Sequence, residues 1–576
     1  MKLLLGIYTK KITPDSNGFS GIMEDFSLYG GRKINTHIYG QLLLVTYDPN
    51  GGDTYPYASS SDDTQIVFLS GHIYNLDKLA EIFSISKGIG LSELPQYFAN
   101  NAEKFLSAAD GIFSLVYYNA LTHELIIAND TFGLYPLFYY EDEDFFIFSN
   151  EFEPITRYKY FNNTLDQDAI AEYFALGSPL AGKTFFKKIR NLLPTSILTI
   201  NSEQITQKKY DIPQIAINYS YNADQFAEQI ATVFHNAVQA RMAINGKKYC
   251  MLTGGLDTRL ILSNLDKEQR SSTDFITFKT PGLDPAMDKD VIVAKMIADK
   301  LSLNHFVIDF PPWLSLWNEE FSLTFFDIWR EHHHELVIGG IYGGEFLTGT
   351  CFEIIPKEVY LSKKRKFFLK DLLSKKNIEF KKLNILSENF IKGICNPYET
   401  LDEEINKIKV ENKILRFAID YLTRGFFTQI YGGLRSTHAM PYGFTAKMLT
   451  PFLDNNYLNV LLSIPDTVLL DERQRLYNTI YKNFVPELNN IPTSNIAFVK
   501  TESNCIRFIE EGLESKNIRV FRNSKLLNDL LTSESAIKKN IYDRDFIMRN
   551  CNNLDSKIMK SFFDFESWCR KYISYI

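Results

Sequence analysis

The sequence has few cysteines, and none of them forms a closely spaced pair. Six cysteines are spread over 576 residues, and the first of them is Cys250. Structural zinc sites use pairs such as Cys-x-x-Cys, and disulfide frameworks belong to oxidising compartments. We therefore expect neither feature, and we expect a cytoplasmic location. Cys250 lies in an apolar segment, where a free cysteine is usually a small core residue.

Long apolar runs and a surplus of positive charge are also absent. No run reaches the roughly 20 residues of a membrane-spanning helix, so we expect no membrane insertion. A net charge of -7 argues against general binding to nucleic acid. The apolar start, residues 1–6, is too short for a signal peptide and predicts a strand. A chain of 576 residues is too long for one hydrophobic core and predicts two or three domains.

The Walker A phosphate loop is missing, but a different glycine turn is present. Residues 253–258 read Thr-Gly-Gly-Leu-Asp-Thr after an apolar strand pattern, and an amphipathic helix pattern starts at Leu256. Paired glycines let backbone N–H groups approach an anion, and the helix start adds a favourable dipole. Asp257 is suited to hold a magnesium ion on the same phosphates. The alternative is an ordinary α/β turn, in which Asp257 only stabilises the first helical turn.

A second glycine turn lies further along the chain. Residues 339–345 read Gly-Gly-Ile-Tyr-Gly-Gly-Glu after another apolar strand pattern. A metal–pyrophosphate site requires close backbone approach and a carboxylate, so Asp257 and Glu345 are the predicted metal pair. A glycine-rich loop with a solvated carboxylate is the alternative. Strands alternate with helices between the two turns, which predicts a parallel sheet that binds nucleotides at the carboxyl ends of its strands.

Both turns resemble loops of the asparagine synthetase family. Residues 253–258 resemble the family's Ser-Gly-Gly-x-Asp-Ser pyrophosphate loop, and threonine keeps the hydroxyl at both serine positions. Residues 337–349 resemble its Ser-Gly-x-Gly-x-Asp-Glu-x-x-x-Gly loop, with Glu345 where an aspartate usually coordinates magnesium. Residues 450–454 resemble its Pro-Phe-Leu-Asp motif, which helps to position the nucleotide end of the domain.

The N-terminal third resembles the class II glutamine amidotransferase domain of the same family. The matching segments are residues 70–75, 130–139 and 149–151. Residues for glutamine chemistry are missing, because Lys2 replaces the nucleophilic cysteine, Ser70 the oxyanion-hole asparagine and His72 the glutamine-binding glutamate. Losing the nucleophile removes the covalent route, so we expect no glutaminase activity. The domain would then be structural or would bind another ligand in that pocket.

The resemblance implies both a fold and a site. The fold class is α/β, with an N-terminal Ntn-type αββα sandwich over residues 1–210. A PP-loop parallel-sheet domain of the adenine nucleotide alpha hydrolase-like type, with helical additions, would occupy residues 211–576. ATP and Mg²⁺ are the implied cofactors, with Asp257 and Glu345 holding the Mg²⁺. The implied ATP-binding residues are Leu252, Thr253, Gly254, Gly255, Asp257, Thr258, Phe278, Gly340, Gly343 and Gly344.

Two catalytic residues are implied by their positions. Tyr342 lies three residues before the glutamate of the second turn. This spacing resembles β-lactam synthetase, a relative that also lacks the cysteine and whose tyrosine serves in ring closure; a packing role is the alternative. The family lysine that stabilises the acyl-adenylate falls near Ser494. Lys500 would supply the cation instead, with Arg473 and Arg475 as alternatives.

The implied activity is an ATP-dependent ligase that adenylates a carboxylate, releases pyrophosphate and forms an amide. The expected partners are small-molecule or peptide carboxylates and amines. The amine would be ammonia, a second substrate or part of the same molecule, as in β-lactam synthetases and lasso-peptide macrocyclases. Asparagine synthesis from aspartate and ammonia, and nucleotide binding without catalysis, are alternatives. The basic residues within 361–383 form either a solvated face or a dock for an anionic substrate or a peptide leader. A homodimer is left open.

Overall fold

The computed structural model describes most of the N-terminal half and several parts of the C-terminal half. The described residues are 3–10, 34–47, 57–59, 63–84, 93–211 except 134, 136, 151–152 and 177–178, 215–279, 284–309, 336–340, 343, 385–395, 397–408, 411, 416, 447–493 except 466–467 and 470–471, 498–500, 505–507, 541–550, 562, 565–566, 568–569 and 572–573.

Strands and helices within these residues are numbered in chain order. The strands are β1 (Leu3–Thr9), β2 (Ile34–Tyr39), β3 (Leu42–Tyr47), β4 (Tyr57–Ser59), β5 (Gln65–Ile73), β6 (Gly111–Asn119), β7 (Glu124–Asn129), β8 (Phe138–Glu141), β9 (Phe145–Ser149), β10 (Ile189–Asn191), β11 (Ser196–Ile200), β12 (Ile205–Lys209), β13 (Lys248–Met251), β14 (Asp274–Lys279), β15 (Asn304–Asp309), β16 (Leu336–Ile338), β17 (Lys447–Leu449), β18 (Phe498–Lys500) and β19 (Cys505–Arg507). The helices are α1 (Leu76–Ile82), α2 (Leu94–Ala108), α3 (Glu153–Thr156), α4 (Gln167–Leu176), α5 (Ala223–Met242), α6 (Leu256–Ser263), α7 (Lys267–Ser272), α8 (Lys289–Leu301), α9 (Glu388–Ile391), α10 (Pro397–Asn406), α11 (Asn455–Ser463), α12 (Arg473–Phe484) and α13 (Arg544–Asn550).

Two six-stranded antiparallel sheets form the N-terminal unit. The first has the strand order β10-β8-β9-β1-β3-β2, and the second has the order β12-β11-β7-β6-β5-β4. Successive side chains along a strand point to opposite faces, so both faces of a sheet can be buried. In β1, Leu4 and Tyr8 belong to the core between the two sheets, whereas Leu5 and Ile7 belong to a core on the outer face.

Helices cover the outer faces of both sheets. Phe98 of α2 packs with Phe113 of β6 on the second sheet. Phe174 of α4 packs with Ile147 of β9 on the first sheet. The layers therefore run helix, sheet, sheet, helix, and the predicted αββα sandwich is confirmed.

Distant C-terminal residues complete the outer face of the first sheet. Trp568 is fully buried, and its ring centroid lies 4.9 Å from those of Phe185 and Phe186. The ring of Phe565 lies 5.6 Å from that of Phe174, and residues of α9 and α10 join the same core. Buried aromatic side chains dominate the energetics of such contacts. The division of the chain at residue 210 stays a proposal, since residues far beyond it pack on the N-terminal unit.

Five parallel strands form the sheet of the C-terminal half, in the order β15-β14-β13-β16-β17. β13 pairs with β14 on one side and with β16 on the other, and Cys250 lies opposite both Phe275 and Ile338. The strand order reverses at β13, so the carboxyl ends of β13 and β16 flank a switch point of the kind that binds ligands. The predicted parallel sheet is confirmed.

One continuous apolar core holds α5, α6, α8, α11 and α12 around this sheet. Asn222 caps α5 by accepting the backbone N–H groups of Asp224 and Gln225, which satisfies donors that a helix start leaves open. Cys250 is fully buried in this core, as predicted, and burial raises the pKa of its thiol to about 12. None of the helices among the described residues combines the length and apolar character that crossing a bilayer requires.

Candidate active site

The first glycine turn joins β13 to α6 at the switch point, directly after the buried Leu252. Two threonine hydroxyls shape this turn. The N–H of Thr253 donates to Oγ1 of Thr258 at 3.2 Å, and the N–H of Gly255 donates to Oγ1 of Thr253 at 3.1 Å. Gly255 is the N-cap of α6 and supplies no side-chain cap. The first N–H groups of α6 and the helix dipole therefore favour an anion at this point.

The second glycine turn lies against the first. It follows β16, and the N–H of Gly343 donates to the carbonyl oxygen of Gly340 at 3.1 Å. A Cβ atom on Gly343 would lie 2.6 Å from Cγ of Asp257, and one on Gly340 would lie 3.0 Å from its Cβ. A larger residue at position 343 would therefore have to displace the side chain of Asp257. The two turns therefore meet at the side chain of Asp257.

Helix α12 reaches Asp257 from a distant part of the chain. The hydroxyl of Tyr481 donates to Oδ1 of Asp257 at 3.2 Å. Burial, followed by the negative charge of Asp257, raises the pKa of Tyr481 well above its ordinary value, so this hydroxyl remains a donor. The ring of Tyr477, one turn earlier, lies 4.5 Å from that of Tyr481. This packed pair fixes the orientation of the Asp257 carboxylate.

Arg259 ties the first turn to another distant segment. Its side chain is buried, and Nη1 donates to the carbonyl oxygen of Ile491 at 2.8 Å. Nη2 donates to the carbonyl oxygen of Gly254 at 3.2 Å and also to that of Pro492. Burial lowers the pKa of Arg259 to about 10, which leaves the group protonated at neutral pH. Residues 491 and 492 therefore lie beside the turn.

Helix α8 supplies a second carboxylate at the turn. Oδ1 of Asp290 accepts the N–H of Gly254 at 3.1 Å. Asp290, Arg259 and Tyr481 were not predicted as site residues from the sequence. Asp290 starts the helix after β14, the neighbour of β13, and Arg259 directly follows the turn, so both carried a usable signal. Tyr481 carried none, because its contact joins residues 224 positions apart.

Other predicted site residues stay predictions. Phe278 lies near the carboxyl end of β14, partly buried against the core of the C-terminal half. Lys500 ends β18, which pairs with β19, and its side chain is outside the described part of the structure. Tyr342, Gly344 and Glu345 also lie outside the described residues, as does the basic stretch 361–383.

Arg473 and Arg475 are the alternatives to Lys500 as the cation of the site. Arg475 pairs with Asp224 at the start of α5 and lies 3.5 Å from Glu472, and its side chain is 57% exposed. An arginine engaged in this way is a weaker candidate than Lys500 for the cation of the site. Arg473 lies on α12, but its side chain is not among the described ones.

Side chains of the N-terminal motifs form hydrogen bonds with backbone groups. The carboxylate of Asp130 accepts three backbone N–H groups, those of Phe132 at 2.8 Å, Phe113 at 3.2 Å and Tyr135 at 3.4 Å. Asn75 accepts the N–H of Asp110 at 2.8 Å and donates to the carbonyl oxygen of Ala108 at 2.9 Å. Buried backbone groups without partners are costly, so these side chains are needed by the fold itself.

The region that matches the glutaminase pocket lies at the end of β5. Gly71 has a φ of 98°, and a Cβ atom there would lie 2.1 Å from the carbonyl oxygen of Ile112. This close approach requires glycine. Ser70 is buried, and the ring of His72 stacks on that of Tyr74 with centroids 6.5 Å apart. Lys2 lies outside the described residues.

A buried polar network joins the N-terminal unit to the C-terminal half. Arg241 of α5 is fully buried; its Nη1 donates to Oδ2 of Asp454 at 2.8 Å, and its guanidinium lies 4.0 Å from the ring centroid of Tyr74. Oδ1 of Asp110 accepts the N–H of Asn455 at 3.3 Å. Asp454 belongs to the Pro-Phe-Leu-Asp motif, so this motif supports the contact between the halves.

The carboxyl group of Asp110 is unusual within this network. Desolvation, and then the negative charge of Asp454, raises its pKa to about 7, although Arg241 acts in the opposite direction. Two carboxyl groups share one guanidinium in a buried place, so a proton on Asp110 relieves their repulsion.

Comparison with known proteins agrees with these motifs. Residues 33–211 match the glutamine amidotransferase domain family. The human glutamine-hydrolyzing asparagine synthetase is 22% identical over 261 residues, which cover 42% of this chain and 43% of that protein. Glutamine-hydrolyzing asparagine synthetase 1 of Bacillus subtilis is 23% identical over 302 residues, which cover 51% of this chain and 44% of that protein. The chain thus matches less than half the length of these relatives.

Similarity to solved structures is weaker. The NH3-dependent NAD synthetase of Campylobacter jejuni, solved with a nitrate ion, aligns with 36% of this chain and 96% of its own. Its sequence identity is 15% and the TM-score is 0.18. By the amidotransferase match and the asparagine synthetase relatives, the chain is similar to the asparagine synthetase family.

Proposed function

We propose that this chain is an ATP-dependent ligase that forms an amide bond and has no glutaminase activity of its own. A carboxylate of the substrate attacks the α-phosphorus of ATP, and the bond to pyrophosphate breaks, which leaves an acyl-adenylate. An amine then attacks the acyl carbon, and AMP departs. Small-molecule or peptide carboxylates and amines are the proposed substrates.

The observation that carries this proposal is the contact between the two glycine turns at Asp257. Both turns follow neighbouring parallel strands at a switch point, where sheets of this class bind ligands. Glycine at positions 340 and 343 lets the backbone of one turn approach the carboxylate of the other. A polyphosphate needs N–H donors and a nearby oxygen ligand for its cation, and this arrangement supplies both kinds of group.

Residues of the chain have separate proposed roles in the reaction. The N–H groups at the start of α6 orient the pyrophosphate, and Thr253 and Thr258 keep the turn in shape. Asp257, with Glu345 from the second turn, would hold Mg²⁺, and a carboxylate enclosed by glycine backbone fits this hard cation. When bound, Mg²⁺ neutralises the charge that develops on the departing pyrophosphate. Tyr342 and Lys500 remain the proposed catalytic side chains.

In this proposal the N-terminal unit has a structural role and no glutaminase activity. The motif residues that it keeps, such as Asp130 and Asn75, are the ones that hold backbone. The residues that glutamine chemistry requires are replaced, by Lys2, Ser70 and His72. Glutamine would therefore not serve as the nitrogen source, and the amine would come from another molecule or from the substrate itself.

An ATP–pyrophosphate exchange screen over candidate carboxylates tests the proposal. We expect exchange that depends on one carboxylate and on Mg²⁺, AMP in equal amount to the amide, and no glutamate released from glutamine. ADP and phosphate as products would contradict the adenylation route. Asparagine formed from aspartate and ammonium would identify the reaction as asparagine synthesis. No exchange with any carboxylate, while an Asp257→Ala variant keeps cellular function, would show a non-catalytic protein.

A further inference from the structure

Gly254, at the centre of the first glycine turn, is held from both sides. Its N–H donates to Oδ1 of Asp290 at 3.1 Å, and its carbonyl oxygen accepts Nη2 of Arg259 at 3.2 Å. A carboxylate and a guanidinium thus form hydrogen bonds with the same backbone residue. Glycine has the largest backbone freedom of any residue, so an ungripped glycine would populate many conformations.

Both gripping side chains are themselves anchored. Arg259 is buried and also donates to the carbonyl oxygens of Ile491 and Pro492. Asp290 lies in the first turn of α8, where the side chain of the buried N-cap Asp288 accepts its N–H at 3.0 Å. Through these hydrogen bonds, the position of Gly254 is fixed relative to α8 and to residues 491–492.

The other N–H groups at the start of the turn also have acceptors within the protein. Those of Thr253 and Gly255 donate to the hydroxyls of Thr258 and Thr253. The turn thus has a defined conformation without any ligand. A site that is already ordered binds its ligand without the entropic cost of ordering it.

We propose that Asp290 is a positioning residue, which orders the glycine turn for pyrophosphate by holding the N–H of Gly254. The inference rests on the proposed function for the identity of the ligand, but the ordering itself is independent of any ligand. Asp290 makes no contact with phosphate in this proposal. Its carboxylate acts as a hydrogen-bond acceptor, so an asparagine at this position should replace it.

Three variants test this role. Asp290→Ala removes the acceptor, and Asp290→Asn keeps an oxygen at the same place without the charge. Asp299→Ala is the matched control, because Asp299 is an exposed aspartate near the other end of α8. The measurements are amide hydrogen exchange of a peptide covering residues 252–258 in the ligand-free protein, and the Kd values for MgATP and for inorganic pyrophosphate.

In the Asp290→Ala variant we expect faster exchange in this peptide and Kd values raised about three- to tenfold, as expected for one lost hydrogen bond. The Asp290→Asn and Asp299→Ala variants should stay close to the wild type in both measurements. Unchanged exchange in Asp290→Ala would overturn the proposal. Tighter pyrophosphate binding in both Asp290 variants would overturn it too, because Asp290 would then compete with the phosphate.

Failure of the proposed function has a different signature. If the wild type binds neither MgATP nor pyrophosphate while exchange still responds to Asp290→Ala, the ordering role of Asp290 stands. The ligase proposal then falls, because the ordered turn would serve some other purpose.

Discussion

Two aspartates from family motifs do different work in the two halves of the molecule. Asp130 of the N-terminal unit is 1% exposed, and its carboxylate accepts hydrogen bonds from three backbone N–H groups. Asp257 is partly exposed and lies between two glycine turns, where Tyr481 orients it. The fold itself requires the first aspartate, whereas the second stands where a ligand can reach it.

This difference shows that a sequence motif can be retained for the fold even where its activity is not. A side chain that completes backbone hydrogen bonds is kept as long as the fold is kept, whatever happens to the chemistry. The N-terminal motifs thus indicate the fold, whereas the absence of glutaminase activity remains a proposal. In the C-terminal half, the position of Asp257 at the switch point supports its proposed role in the site.

The largest expected effect comes from removing the charge of Asp257. The Asp257→Asn variant should lose about 10²–10³-fold in ATP–pyrophosphate exchange, because a preorganised electrostatic partner of the pyrophosphate is lost. The urea midpoint should hardly change, since asparagine can still accept from Tyr481. Exchange and urea unfolding are measured on the same preparation. A destabilised variant with full exchange would reverse the comparison with Asp130.

Asp130→Ala should have the opposite profile. Three backbone N–H groups lose their acceptor in a buried place, so the free energy of unfolding should fall by about 3 kcal/mol or more. Urea denaturation followed by tryptophan fluorescence measures this change. The folded fraction should bind MgATP with the wild-type Kd. If Asp130→Ala is as stable as the wild type, the structural reading of the N-terminal motifs is wrong.

A smaller effect is expected at the interface between the two halves, as a dependence of stability on pH. The pKa of Asp110 rises from 3.8 to about 7 on folding, through burial and the charge of Asp454. Between these values the folded protein holds a proton that the unfolded chain has released, so the free energy of unfolding falls as pH rises from about 4 to about 7. The fall in stability should be spread over these three pH units, because burial and Asp454 raise the pKa of Asp110 while Arg241 opposes them only in part.

Asp110→Asn tests this assignment, because asparagine cannot ionise. Urea unfolding at several pH values should show a flatter profile for the variant, which should also exceed the wild type in stability above pH 7. An unchanged slope would place the titrating group elsewhere. Tyr74, Arg241 and Asp454 face Asp110 in this network, so the wild-type slope reports on the whole group.

Much of the local structure follows from patterns of neighbouring residues. The apolar start of the chain, residues 1–6, predicted a strand, and β1 begins there at Leu3. The Thr-Gly-Gly-Leu-Asp-Thr turn predicted a strand before it and a helix from Leu256, and β13 and α6 have these places. Periodicity and turn chemistry act over a few residues, so a single sequence displays them directly.

The grouping of side chains around the turns follows from long-range packing instead. Arg241 meets Asp454 across 213 positions, and Tyr481 meets Asp257 across 224. No local pattern encodes such contacts, because they depend on how whole helices settle on a sheet. The covering of the first N-terminal sheet by Trp568 and its neighbours is of the same kind.

The amino-acid order alone was enough to specify two glycine turns, the strands that precede them and the helix that follows the first. Burial and neighbours in space gave these parts their roles: Asp130 as a backbone acceptor, Asp257 as the meeting point of both turns, and Asp290 as the grip on Gly254. The physical reason is that these interactions act over different separations along the chain. Backbone preferences act between adjacent residues, whereas hydrogen bonds and desolvation act between any groups that the fold brings together.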